Sequence, residues 1–272
     1  MTCRVLKVSR SGYYDWVSRR PSARDVDDAH LLNVIIDVHA AARGTYGARR
    51  VHAELTLGRR LAVGRGRVER LMRCHRLAGV HRRRWRHPHR ELATWPDRVQ
   101  RRFTADCPDR LWVTDITQHR TAEGWVYAAV VLDVFSRRVV GWSIADHLRT
   151  ALVIDALDMA RWRRKPAGTI VHSDRGTQYT SWLFGTRLRE AGLLGSMGKV
   201  ACAYDNSLME SFFGSLQIEL LDRRSWHTRA ELANAIFEWI EAFYNPVRRH
   251  SALGYHSPID FENLHTPATS AA

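Results

Sequence analysis

Three acidic residues stand where apolar neighbours make a carboxylate costly. Asp115 lies inside the run Leu111-Trp112-Val113-Thr114-Asp115-Ile116. Asp174 follows the short run Thr169-Ile170-Val171-His172-Ser173 and precedes the turn residue Gly176. Glu210 sits in Asn206-Ser207-Leu208-Met209-Glu210-Ser211-Phe212-Phe213, near the start of a helical periodicity with Asn206 as its N-cap. A carboxylate in apolar surroundings needs a compensating partner, and a divalent cation is one. Mg²⁺ takes hard oxygen ligands and keeps several waters, so a few carboxylates plus substrate phosphates suffice to hold it. The chemistry this suits is phosphodiester transfer, where two metals about 3.5–4 Å apart serve the attacking and leaving oxygens. Taken singly, each acid reads more readily as a helix cap or a surface ion pair than as a metal ligand.

The elements that must position these acids follow from hydrophobic patterning. Leu111–Ile116, Trp125–Phe135 and Val139–Ala145 read as three strands joined by short connections, an antiparallel meander with a turn at Glu123-Gly124. A helix over Ala151–Arg164 then crosses over to a fourth strand, Thr169–Ser173, expected to run parallel to the first. Ser181–Ala191 is a helix and Leu193–Met197 a short last strand. Asn206–Leu221 is the helix bearing Glu210, and Arg229–Tyr244 a further amphipathic helix halted at Asn245-Pro246. The residue before the second turn, Asp133, reads as an acceptor for turn N–H groups rather than a ligand.

Spacing and flanking words together carry a resemblance. Fifty-eight residues separate Asp115 from Asp174, and 35 separate Asp174 from Glu210. With the words HSDRGTQYTS, YDNSLMESFFGSLQIEL and YNPVRRHSALGYHSP, this resembles the OrfB-type transposases of bacterial insertion sequences, within the DDE transposase and retroviral-integrase superfamily. The likeness runs from about Cys3 to Glu262. It implies an α/β, ribonuclease-H-like catalytic core with a mixed five-stranded sheet over residues 105–265. It also implies a DNA transposase that cleaves and joins strands at element ends with two Mg²⁺ or Mn²⁺ ions. Asp115 would bridge both ions, Asp174 would hold one and Glu210 the other. Two further classes stay open: a hydrolytic nuclease of the same fold, and a DNA-binding remnant without catalysis. Around the acids, His172 either orients substrate or is simply packed. Asn206 and Gln217 lie one turn before and two turns after Glu210. Relatives carry Lys where Gln217 stands, so a DNA contact there would have to be made without charge.

Charge separates the chain into two halves. Residues 1–104 hold 24 Lys or Arg against 9 Asp or Glu, and residues 105–272 hold 18 against 19. The basic excess lies in the first part and points to an anionic polymer. Residues 1–80 read as a small, basic all-α region. A short helix, a turn at Ser11-Gly12 and a second helix come first, with Tyr13, Tyr14 and Trp16 as an aromatic patch closing the bundle. Residues 26–42 follow as a helix, then one begun at Thr45 and one after Val63, together resembling a helix-turn-helix unit. Tyr46–Val51 occupies the place of a YGYRRI-like family word, with Ala48 departing from the usual aromatic. Arg49, Arg50, Arg65 and Arg67 are the DNA-contact candidates there. Arg82, Arg83 and Arg84 belong to an Arg-rich linker over 81–104, where phosphate contacts position without reading sequence. Arg248 and Arg249 are candidates near the C-terminus, against the alternative of a clamp packing Tyr255 on the core. Residues 266–272 read as a frayed tail.

Other classes are excluded or left as expectations. No apolar run reaches eighteen residues and no signal core opens the chain, so the reading is a cytoplasmic, nucleoid-associated protein without a membrane span. The cysteines, Cys3, Cys74, Cys107 and Cys202, form no C-x-x-C pair. The resemblance further implies a homo-oligomer on DNA and an upstream reading-frame product (OrfA), fused or supplied, that reads the element ends. Cys3-Arg4-Val5-Leu6 reads as the middle of a helix, which leads us to expect further residues ahead of Met1.

Overall fold

The computed structural model describes residues 9–18, 21–80, 95–100, 102–197 and 207–265. The chain divides into two compact units, 1–79 and 80–272, each built on its own core.

In the first unit, α1 (Arg10–Ser18) runs straight through Ser11 and Gly12, where a turn was expected. The reason is Ser9, whose Oγ accepts the Gly12 N–H at 3.0 Å and so caps the helix. The aromatic patch is likewise not a closed one, because Tyr13 and Tyr14 stay exposed on α1. Helix α2 (Ala23–Ala41) opens on a reciprocal capping box between Ser22 and Asp25. Helix α3 (Ala48–Ala53) continues into a π-helical turn, Glu54–Gly58, and α4 (Arg65–Cys74) follows. Ile35, Val38, Tyr46, Val51, Leu55, Val68 and Leu71 close the core between them. Gly79 passes so near Gly47 that a Cβ at 79 would meet the Gly47 nitrogen at 2.3 Å, so only glycine closes this unit.

The second unit is organised by a five-stranded mixed sheet of order β3-β2-β1-β4-β5. Strands β1 (Leu111–Thr121), β2 (Gly124–Asp133) and β3 (Val139–Ala145) form the antiparallel meander. Helix α5 (Thr150–Arg164) crosses to β4 (Ile170–Ser173), which pairs parallel with β1 as expected of a strand that follows a crossover helix. Helix α6 (Trp182–Glu190) leads to β5 (Leu194–Met197), again parallel. β1 runs five residues beyond the expected Ile116 because it pairs with β2 along its length, to Thr121 opposite Gly124. Trp112, Val131 and Val140 meet Leu152, Ala156 and Leu157 of α5 and Phe184 and Leu188 of α6 in one core. A Cβ at Gly141 would lie 2.2 Å from the Ala156 carbonyl oxygen, which is why α5 can lie so close on β3.

Helix α7 (Ser207–Glu219) packs on β1, and α8 (Arg229–Glu238) packs on β2 and continues through a π-helical stretch, Trp239–Tyr244. Phe212 meets both Trp239 and Tyr244 edge to face there, with Phe212 and Tyr244 centroids 4.9 Å apart, and the Trp239 and Tyr244 rings lie tilted on each other. Asn245 then ties this end to strand β3: its Oδ1 accepts the Val139 N–H at 2.9 Å and its Nδ2 donates to the Val139 carbonyl at 3.0 Å. Helix α9 (Pro258–His265) closes the unit. Asp133 accepts from the Asp109 N–H (2.7 Å), the Ser136 N–H (3.1 Å) and the Ser136 hydroxyl (3.3 Å), the turn role expected of it. Burial pushes its carboxyl up to about 6. Among the described residues, no helix is long and apolar enough to cross a membrane.

Candidate active site

Strand register brings two of the three acids side by side. The parallel ladder between β1 and β4 ends at Thr114 opposite Ser173, and the next residue on each strand is an acid, Asp115 and Asp174. Both line one pocket, with Thr117, Gln118, Gln178 and Tyr179 among its walls. Asp115 is half-buried, and its Oδ1 accepts the Ile116 N–H at 2.8 Å. Asp174 is exposed at the strand end, and its Oδ1 accepts the Gly176 N–H at 3.0 Å in the turn that glycine permits.

Beneath the two acids lies Tyr179, fully buried, its hydroxyl 3.2 Å from Thr114 Oγ1. Burial first, then the negative charge of Asp115 and also of Asp174, drives the phenol's pKa well above its ordinary value, while the Thr114 contact offsets part of this. The ring therefore stays a neutral phenol. Gln178 donates its amide N–H to the Leu148 carbonyl at 3.2 Å and so fastens one wall of the pocket. Sequence reading passed over Thr114, Gln178 and Tyr179. The signal was there in Thr114, a hydroxyl beside an acid within an apolar run, and in Gln178-Tyr179 directly after the glycine turn.

Glu210 is placed differently. It is exposed on the first turn of α7 and is not part of the wall that holds Asp115 and Asp174. Among the described residues, no three His, Cys, Asp or Glu side chains converge closely enough to hold a metal ion. Asn206 lies outside the described residues. His172 is packed: it is 3% exposed, its Nδ1 is 3.0 Å from Ser196 Oγ, and its ring meets Phe103 edge to face. Gln217 donates its amide N–H to Asp222, in the 3-10 turn that follows α7.

The arginines divide by what holds them. Arg49 is exposed on α3, and Arg50 lies over the Tyr46 ring. Arg65 is exposed on α4 with Glu69 one turn on, 3.4 Å away. Two expectations need correction. Arg67 and its neighbour Arg70 are both engaged by Asp28 of α2, Arg67 at 2.6 Å, so this pair fastens α4 to α2. Arg248 is buried in a two-bond fork with Glu219, at 2.8 and 2.7 Å, and Ser215 accepts a further bond at 3.0 Å. Arg249 is also largely buried and donates to the Tyr255 carbonyl at 3.2 Å. Arg82, Arg83 and Arg84 lie outside the described residues. Replacing the exposed Arg49 and Arg65 together by alanine is expected to lower the log–log salt slope of duplex DNA binding by about 0.9 for each phosphate no longer neutralised. Fluorescence anisotropy across a salt series measures it; an unchanged slope contradicts it.

Comparison with known proteins bears on the family and the fold. Two family models described as integrase core domain match residues 105–201 and 210–265, and one described as HTH-like domain matches 25–85. The chain is 38% identical over 270 residues to the transposase for insertion sequence element IS629 of Shigella sonnei, covering 97% of this chain and 90% of that protein. The chain belongs to the insertion-sequence transposases. It is also 40% identical over 271 residues to the IS600 insertion element 31 kDa protein of Shigella sonnei, spanning 98% of this chain and 99% of that one. The transposase's fold is shared with a simian T-cell lymphotropic virus intasome structure, at TM-score 0.51 and 15% identity, covering 86% of this chain and 76% of that one. Its mixed sheet with flanking helices is thus the ribonuclease-H-like integrase core, preceded by a helix-turn-helix-like region. In general terms the transposase is a polynucleotidyl transferase acting on DNA.

Proposed function

We propose that Asp115, Asp174 and Glu210 are the catalytic set of a metal-dependent strand-cleaving and strand-joining reaction at the ends of the element. The observation that carries this is the register that sets Asp115 beside Asp174 in one pocket. The donor chemistry fits a hard divalent cation: two carboxylates share the wall, and among the described residues no Lys, Arg or His lines it. Asp115 and Asp174 would hold Mg²⁺ or Mn²⁺, with Glu210 of α7 completing a two-ion set. Bound there, the metal would supply charge neutralisation for the scissile phosphate and its entering and leaving oxygens.

The chain's own residues do the rest. Thr114 and Tyr179 join the segment after Asp174 to the strand carrying Asp115, fixing the spacing of the two acids. The neutral phenol adds no charge to a site that must accept phosphate. Gln178, fastened to Leu148, keeps its side of the pocket in place.

The partners proposed are duplex DNA, at both element end and target, a second copy of the chain on that DNA, and the upstream reading-frame product. Residues 1–80 would bind DNA, 81–104 would link, and 105–265 would catalyse. The HTH-like match and the basic excess of residues 1–104 support the first partner. The upstream product is proposed because phosphate contacts position a protein, while specificity needs base-edge contacts from a dedicated element. The setting proposed is the bacterial cytoplasm, at the nucleoid.

The test is an assay on labelled element ends with a target duplex, with the upstream product supplied. Joined products are expected with Mg²⁺ or Mn²⁺, and none after chelation. Cleavage that never yields joined strands would favour the hydrolytic nuclease, and metal-independent joining would overturn the reading.

A further inference from the structure

The last turn of α5 carries an unusual group of side chains. Trp162 is 80% exposed, more than any other large apolar side chain among the described residues. It stands in Arg161-Trp162-Arg163-Arg164-Lys165, and Lys165 caps the helix in the left-handed conformation. Two of these cations are engaged: Arg163 by Glu241 at 2.7 Å, and Arg164 by Asp109 and Glu262, each at 2.9 Å. Arg161 and Lys165 are exposed and have no carboxylate partner among the described residues. Lys165 follows Trp162 by three positions, so both stand at the C-terminal end of α5.

The fold adds a third cation. Arg110 immediately precedes β1, and its carbonyl accepts the Ile170 N–H at 3.0 Å where β4 begins. Chain connection places Lys165 only five residues before Ile170, so Arg110 and the end of α5 share one end of the sheet. Arg110 is exposed and also lacks a carboxylate partner among the described residues. Residues 105–272 carry almost no net charge, so three cations without a carboxylate partner among the described residues, at the same end of the sheet as an exposed indole, form a local positive patch. Basic residues at a helix C-terminus ordinarily answer the helix dipole. That accounts for Arg163 and Arg164, but not for leaving a tryptophan in water.

We propose that Trp162, Arg161, Lys165 and Arg110 form a second duplex-DNA contact on the catalytic unit, at the end of β4 away from Asp174. The occupant is the sugar–phosphate backbone of the DNA on which the transposase acts. The three cations meet phosphates, and the indole covers deoxyribose with its face and donates its N–H to a phosphate oxygen. The proposal rests on the DNA-transposase reading but not on the assignment of the three acids.

The test compares the full chain with a Trp162→Ala, Arg161→Ala, Lys165→Ala triple variant, and separately with Arg161→Glu. Duplex binding is measured by anisotropy over a salt series, with size-exclusion chromatography in parallel. The triple variant is expected to bind roughly tenfold more weakly at low salt, with a salt slope reduced by about 1.8 because two phosphates are no longer neutralised. Arg161→Glu is expected to weaken binding more than Arg161→Ala would, because the new carboxylate repels phosphate. These sites are exposed, so the variants keep the wild-type melting temperature. Unchanged affinity and slope would overturn the proposal. So would a change of oligomeric state with unchanged slope, which would make the patch an interface between copies. Wild-type binding to the same duplex, measured alongside, reports on the DNA-acting reading independently.

Discussion

Full-length chain with Asp174→Asn is expected to lose strand joining by about a thousandfold or more while binding DNA as tightly as the wild type. Groups that act as one catalytic unit fail together when any member is removed, and losses of this size are typical. Asn keeps the shape and can still accept the Gly176 N–H, so the turn after β4 survives. Asp174 is exposed, so stability should change by no more than about 0.5 kcal/mol. Asp115→Asn is expected to behave alike, since it occupies the matching position on the neighbouring strand. A quantitative strand-transfer assay, paired with anisotropy and thermal melting, measures all three properties. Joining within tenfold of wild type in either variant, with folding intact, contradicts the assignment.

The second large effect concerns Arg248 and stability. Its guanidinium and the Glu219 carboxylate are both almost wholly buried, 4% and 1% exposed, and make two short bonds. Arg248→Ala would strand a buried carboxylate, at a cost of about 3–5 kcal/mol. For a unit of this size that lowers the melting temperature by about 10 °C. The double change Arg248→Met with Glu219→Leu is expected to recover much of that loss, because an apolar pair needs no desolvation of charge. Calorimetry on the three proteins tests it. An unchanged melting temperature in Arg248→Ala, with weakened DNA binding, would return Arg248 to a phosphate-contacting role.

These two cases also show where sequence was legible. Strand β3 was found at its observed bounds because its apolar run is closed at both ends by charged residues, Arg138 and Asp146. The parallel placement of β4 followed from the helical crossover that precedes it. Asp115 and Asp174 were legible as acids in apolar runs, and their adjacency followed from expecting their two strands to be parallel neighbours, while the exact register that sets them beside each other is fixed only in the folded sheet. The arginines show the opposite. Arg67 and Arg248 carry the same charge signal as the exposed Arg49, yet their partners lie 39 and 29 residues away in sequence. A charge count sees the cation and not the acid that holds it. Ser11-Gly12 reads as a turn because both residues favour turns, but Ser9 caps a helix that includes them. Tyr179 was missed because a buried tyrosine looks like core, and its relation to the two acids is purely spatial.

The most direct test falls on Glu210, the one acid of the three that lies outside the pocket shared by the other two. If the three carboxylates act as a single set, Glu210→Gln must fail in the same way as the aspartate variants. The measurement is strand joining by the full-length Glu210→Gln chain on labelled element ends, with Mg²⁺ and the upstream product supplied, beside its duplex affinity. The expected result is a loss of about a thousandfold in joining with unchanged affinity and melting temperature. Joining at the wild-type rate would contradict a three-acid centre and leave Asp115 and Asp174 to act without Glu210.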